Sequence, residues 1–193
     1  MSRRGYSLLE LLTVIAILGI LAVAAVPAFA SIHRRGALRG AAAEVRSILN
    51  LARSRAIASG KNCGLKFLQL GGDWHFAIYE DGDRDGVRND DIKSGKDKMI
   101  EPPRVVFPHA DVVTIGLLKQ TIKDPDGQKL KPTQSPVAFG KSGICSFSPL
   151  GESSSGTIYL TDHGRDLYAV RVYGATAKVR VLRYDPNKKR WVR

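Results

Sequence analysis

Arg3-Arg4-Gly5-Tyr6-Ser7-Leu8-Leu9-Glu10 stands directly ahead of 22 uncharged residues, Leu11 to Ile32, in which Thr13 and Ser31 are the only polar side chains. Wound as an α-helix, that run is about 33 Å long, enough to cross the hydrocarbon core of a bilayer. Composition alone permits two readings of it. One is a membrane-spanning helix. The other is a secretory signal peptide, for which Ala28-Phe29-Ala30 offers a small-residue cleavage site, although its apolar core would usually be shorter. Glu10 weighs for the first reading. A lone carboxylate at the start of a membrane helix is costly without a partner, and such residues are functional candidates by default. Solvation of Glu10 at headgroup level is the plain alternative. Pro27 lacks an amide proton and should kink or loosen the helix. Arg3 and Arg4 precede the run, but His33, Arg34, Arg35 and Arg39 follow it, so the distribution of basic residues gives no orientation.

The helical pattern continues beyond the apolar run. Ala41, Val45, Ile48, Ala52 and Ala56 recur on one face of an α-helix, and Arg39, Glu44, Arg46 and Arg53 lie largely off that stripe. Ser59-Gly60 supplies a stop. The spacing therefore predicts one helix from Tyr6 to Ser59, roughly 80 Å long. Its first half, 6–32, would protrude, and its second half, 33–60, would pack on a globular part made of 61–193. After Gly60 the pattern turns to strands. Cys63–Leu68 and Trp74–Tyr79 read as a hairpin closed at Gly71-Gly72-Asp73. Further candidates are Arg104–Phe107, Asp111–Leu117, Val137–Phe139, Thr157–Leu160, Leu167–Val172 and Ala177–Tyr184. Thr121–Ser135 is expected to be loop. The fold class is α+β: a long N-terminal helix packed on an antiparallel β domain.

Hydrophobic residues make up 44% of the 193, which excludes wholesale disorder. Two cysteines exclude a disulfide-dense scaffold and a four-cysteine zinc site. Aromatics at 7% argue against a surface of base-stacking platforms. The formal charge of +12 is uneven: +6 over residues 1–60, −1 over 61–162 and +7 over 163–193. Such a charge favours polyanions or membrane surfaces as partners.

The most chemical stretch is Asp81-Gly82-Asp83-Arg84-Asp85-Gly86-Val87-Arg88-Asn89-Asp90-Asp91. Alternating carboxylates with a glycine at the sixth position can wrap a hard cation, so Asp81, Asp83, Asp85, Asn89 and Asp91 are candidate ligands for a structural calcium ion. Ile92 stands where an EF-hand would want Glu. An acidic hairpin tip, with Asp and Gly serving turn geometry, is the competing reading. Cys63 and Cys145 both fall in β-type segments. They are a candidate disulfide in an oxidising compartment, or two separate buried thiols. His33, His75, His109 and His163 stand in no nucleophile motif, and no HExxH or phosphate-binding glycine loop is present. The chain is therefore not expected to be an enzyme.

The segment Arg4-Gly5-Tyr6-Ser7-Leu8-Leu9-Glu10-Leu11-Leu12, with its apolar run, resembles the class III signal of type IV pilins and type II secretion pseudopilins. The resemblance implies a leader, residues 1–5, cut after Gly5 by prepilin peptidase, and N-methylation of the new first residue, Tyr6. Tyr stands where the family usually has Phe. Glu10 matches the family glutamate that pairs with the N-terminal amine of a neighbouring subunit. The same resemblance implies a single-pass inner-membrane protein with a cytoplasmic N-terminus and a periplasmic globular domain. Other pilins or pseudopilins and the inner-membrane assembly platform would be its partners. Ser148-Pro149-Leu150-Gly151, Ser155–Leu160 and Tyr168–Val172 look like the C-terminal half of GspH/FimT-type minor pilins. FimT-like members often carry Gly-Arg-x-Arg, implicated in DNA binding. Ala177-Lys178-Val179-Arg180 keeps the two basic positions and replaces the glycine. Lys178 and Arg180, alternating with Val179 and Val181, form a candidate DNA-binding surface together with Arg183 and the basic tail. A solvated strand face is the plain reading of those charges. Two functions are thus expected: a structural subunit that primes or caps a pseudopilus or pilus, or a pilus-tip subunit that holds DNA.

Overall fold

The computed structural model describes residues 7–108, 112–162 and 166–192, with the side chains of all of these but 24–32. Gly5, Tyr6, His109, Asp111 and His163 lie outside the described residues. The chain divides into two compact units, Met1–Gly36 and Ala37–Arg193.

Helix α1, Leu8–Ser59, accounts for most of the first unit and opens the second, and its helical conformation continues through Pro27. In the first unit every side chain from Leu8 to Val23 is exposed, including the large aliphatic ones. Among the described residues no helix is long and apolar enough to cross a membrane. The uncharged run expected to do so continues through 24–32, whose side chains are outside the description.

The second unit begins with the amphipathic part of α1. Ala41, Val45, Ile48, Ala52 and Ala56 are all buried, joined by Leu38 a turn ahead of the stripe and by Ala42 and Leu49 beside it. The helix stops where expected. Gly60 takes the left-handed conformation (φ 68°), and its N–H donates to the Ala56 carbonyl at 3.1 Å.

The β elements follow in chain order. They are β1 Cys63–Leu70, β2 Asp73–Glu80, the short helix α2 Asn89–Ser94, β3 Lys98–Val105, β4 Thr114–Ile115, β5 Ile122–Lys123, β6 Lys129–Leu130, β7 Val137–Ala138, β8 Ile144–Phe147, β9 Gly156–Thr161, β10 Leu167–Tyr173, β11 Lys178–Asp185 and β12 Arg190–Val192. One sheet runs β3-β2-β1-β8 and a second β12-β11-β10-β9-β4, with β7 also on β9. All pairings are antiparallel. The helix stripe packs with Leu65, Phe67, Phe76 and Ile78 of the first sheet and Ile158, Leu160, Val170 and Val172 of the second. The residues of β9 and β10 between these, Tyr159, Leu167 and Ala169, face a second cluster with Leu118, Ile122, Leu130 and Tyr184. That is the period of two expected of strands buried on both faces.

The structure corrects several boundaries. Thr121–Ser135 is not plain loop, because β5 and β6 pair within it and bring Ile122 and Leu130 onto the second cluster. Trp191 of β12 fastens this hairpin by donating from Nε1 to the Lys123 carbonyl at 2.9 Å. The strand expected at Arg104–Phe107 is instead Lys98–Val105, with Pro102 and Pro103 inside it. The two prolines are tolerated there because β3 is an edge strand and its register with β2 shifts between Phe76 and Ile78, opposite them. Ala177 does not start β11. It closes a 3-10 turn, Gly174–Thr176, at φ 46° and is fully buried.

Candidate functional site

Glu10 lies in the first turn of α1, where the helix dipole favours a carboxylate. Thr13 Oγ1 donates to the Glu10 backbone carbonyl at 2.8 Å. The carboxylate is exposed, and so are the aliphatic side chains around it: Leu8 is 81% exposed, Leu9 72% and Leu12 61%. Further along, Ile20 and Val23 are 73% and 77% exposed. The helix therefore presents hydrocarbon on every side and one acid near its start. A helix apolar all round belongs in lipid or inside an assembly.

The acidic loop after β2 holds its carboxylates with hydrogen bonds and ion pairs of its own. The carboxylates of Asp81, Asp83 and Asp85 do cluster, with ligand atoms within 4.8 Å of one another. Asp81, however, is buried and already saturated. Its Oδ1 accepts the backbone N–H groups of Asp83 (3.2 Å) and Arg84 (2.7 Å), and its Oδ2 accepts Asn62 Nδ2 (2.8 Å) and the N–H of Gly86 (2.9 Å). Four donors fill the roughly four lone-pair positions of a carboxylate. Burial pushes the Asp81 carboxyl up, but the Asn62 and backbone hydrogen bonds outweigh it and hold the group below its ordinary value.

The remaining expected ligands are turned elsewhere. Asn89 accepts from Lys66 Nζ at 2.7 Å and donates to the Ser142 carbonyl at 3.0 Å. Asp91 and Asp83 share Lys96, whose Nζ lies 3.4 and 3.5 Å from them, and Asp85 pairs with Arg88. Of the five candidate ligands the structure thus brings Asp81, Asp83 and Asp85 together, while Asn89 and Asp91 are engaged by Lys66, Ser142 and Lys96. The loop's carboxylates are paired with cations of their own neighbourhood, Arg88, Lys93 and Lys96. A second pin, Asp97, escaped the sequence reading. It is buried and accepts the N–H groups of Gly82 (3.2 Å) and Arg88 (2.9 Å). Gly82 permits this closure, since a Cβ there would fall 2.0 Å from the Lys96 carbonyl oxygen. Nothing in the Asp81–Asp91 run announces Asp97. Only the fold brings it back.

Cys63 and Cys145 are buried free thiols, so the expected disulfide is not formed. They sit on neighbouring strands, but Cys63 lies opposite Phe147, and Cys145 lies opposite Leu65. Such diagonal positions are about 7–8 Å apart at Cα, beyond the usual span of a disulfide. Burial raises both thiol pKa values, so the thiols stay protonated and unreactive.

The basic residues near the C-terminus are split by the pleat. Lys178 and Arg180 lie opposite Tyr173 and Arg171 of β10, and the Arg180 guanidinium stacks 5.4 Å from the Tyr173 ring centre. Arg183 follows the parity of Val179 and Val181, the side chains that pack toward the helix. By parity Arg183 stands off from Lys178 and Arg180, yet all three line the space beside Arg46 of α1. Of the described histidines, His33 is exposed, and His75 Nδ1 lies 3.2 Å from the Asp73 carbonyl oxygen.

The architecture defines a class: a subunit with a bare apolar helix ahead of a two-sheet domain that carries the helix's amphipathic continuation in its core. Residues 1–26, which include Gly5, Tyr6 and Glu10, match the prokaryotic N-terminal methylation motif. Residues 41–177 match the family described as type II transport protein GspH. The chain belongs to the GspH family, whose members are structural rather than catalytic, and it is a minor pseudopilin or pilin of type II secretion or type IV pilus machinery. The methylation motif implies an inner-membrane anchor with the globular domain in the periplasm. No curated protein and no solved structure matches the chain.

Proposed function

We propose that this subunit primes or caps its filament, with Gly5–Tyr6 as the processing junction and Glu10 as the group that admits it. The supporting observation is the aliphatic surface from Leu8 to Val23, exposed on all sides and interrupted by one carboxylate. Such a helix needs lipid before assembly and neighbouring helices afterwards. Moving between the two exchanges one apolar surrounding for another, so burial alone favours neither. A charge pair decides. Cutting after Gly5 creates an amine at Tyr6, about one helical turn ahead of Glu10. Each charge is costly alone in an apolar core and tolerable when paired with its complement on a neighbour.

Mass spectrometry of the mature subunit is expected to find methylated Tyr6 at the N-terminus. An N-terminus near residue 30 would mark an ordinary signal peptide and overturn the reading. Glu10→Ala should be processed normally yet fall at least tenfold in the filament fraction, and undiminished incorporation would remove Glu10 from this role.

A further inference from the structure

We propose that the cleft between the second part of α1 and strand β11 receives an extended acidic peptide segment, added as a strand to the open edge of β11. That the segment comes from a neighbouring filament subunit rests on the function proposed above, whereas the chemistry of the cleft stands on its own. Two features of the cleft converge. The first is charge. Arg39, Arg46 and Arg53 recur every seven residues, which puts them two turns apart on one face of α1. Arg39, Arg46 and Arg183 line one end of the cleft, a space of about 490 Å³. Arg46, Arg53 and Lys178 line the other. Among the described residues no carboxylate lines either end, and none of these five cations is ion-paired. Arg53 Nε is buried without a hydrogen-bond partner.

The second feature is the strand edge. Among the described residues β12 covers β11 only at Arg183–Asp185, so Lys178–Leu182 pairs with β10 on one side and with no described strand on the other. Every second residue of such an edge turns its N–H and C=O outward. An extended peptide meets both features at once, taking the backbone bonds of the edge while alternate side chains reach the arginines and the half-buried Val179 and Val181. A phosphate ribbon would meet the cations but leave the edge groups unpaired. Among the described residues the aromatic ring lining the cleft, Tyr168, is buried and offers no stacking platform.

The test is fluorescence anisotropy on the full chain in detergent, with a labelled peptide of sequence Glu-Val-Glu-Val-Glu-Val-Glu. Saturable binding is expected. Arg46→Glu should weaken it at least tenfold. Replacing the peptide's central valines with proline, at unchanged charge, should weaken it as much, and Lys129→Glu on β6 should leave it unchanged. Absence of peptide binding overturns the proposal. So does equal affinity for the proline-bearing peptide, which would show charge alone. So does an oligo-dT probe that binds through Arg46 in place of the peptide, which would make the cleft a nucleic-acid site. Peptide binding that persists in a chain shown not to join filaments would uphold the cleft and refute the filament reading.

Discussion

At Asp81 a single carboxylate organises a whole loop by accepting four hydrogen bonds, three of them from backbone N–H groups of the turn it starts. Asp81→Asn replaces one acceptor oxygen with an NH₂ and sets donor against donor, so the substitution should cost about 1–3 kcal/mol. The pH dependence has a definite sign. Because the folded carboxyl is held below 3.8, its stabilisation is complete at neutral pH and is lost as the pH falls through the folded value. Thermal melts of parent and variant should therefore differ at pH 7 and converge well below pH 3.8; a constant gap across that range would contradict the assignment. The two cysteines invite a second measurement. Both should resist alkylation in the native protein and both should react after unfolding without reductant, since they are buried free thiols. The sequence marks Asp81 as the start of an acidic run, but its partner Asn62 and the second pin Asp97 lie outside that run. Residue types in one stretch show the chemistry available, whereas the partners that consume it arrive from other strands.

Among the elements, α1 and the β1–β2 hairpin were legible because each repeats a period over many residues. The buried stripe from Ala41 to Ala56 and the paired register from Cys63–Glu80 to Leu70–Asp73 follow the patterns read from the chain. β5 and β6 are two residues each, too short for any period, and their apolar content is Ile122 and Leu130. What makes them strands is the hydrophobic cluster they cover, a tertiary fact. β8 was missed for a similar reason, since Ile144–Phe147 gains its pairing from β1, far earlier in the chain. On α1 the deepest positions carry the most energy. Leu49 is fully buried, and Leu49→Ala should lower unfolding free energy by about 2–5 kcal/mol. Chemical denaturation would check this, and a loss of a few tenths would show that the helix contributes little to the core.

For the molecule as a whole, the second unit holds the entire described hydrophobic core, from Leu38 to Tyr184. A chain beginning at Ala37 should therefore unfold in one cooperative transition without detergent, and non-cooperative melting would show that Met1–Gly36 supplies structure the core needs. Family membership was visible in a dozen N-terminal residues because processing reads sequence directly. The basic cleft was not, because its walls are more than a hundred residues apart in the chain.

The two prolines of β3 carry one more consequence. Proteins with exposed sheet margins share a hazard with amyloid precursors, because such margins can zip together indefinitely. Pro102 and Pro103 sit in the outermost strand of the first sheet, where proline offers no amide donor to an incoming copy. Open-ended stacking along that margin is thereby disfavoured.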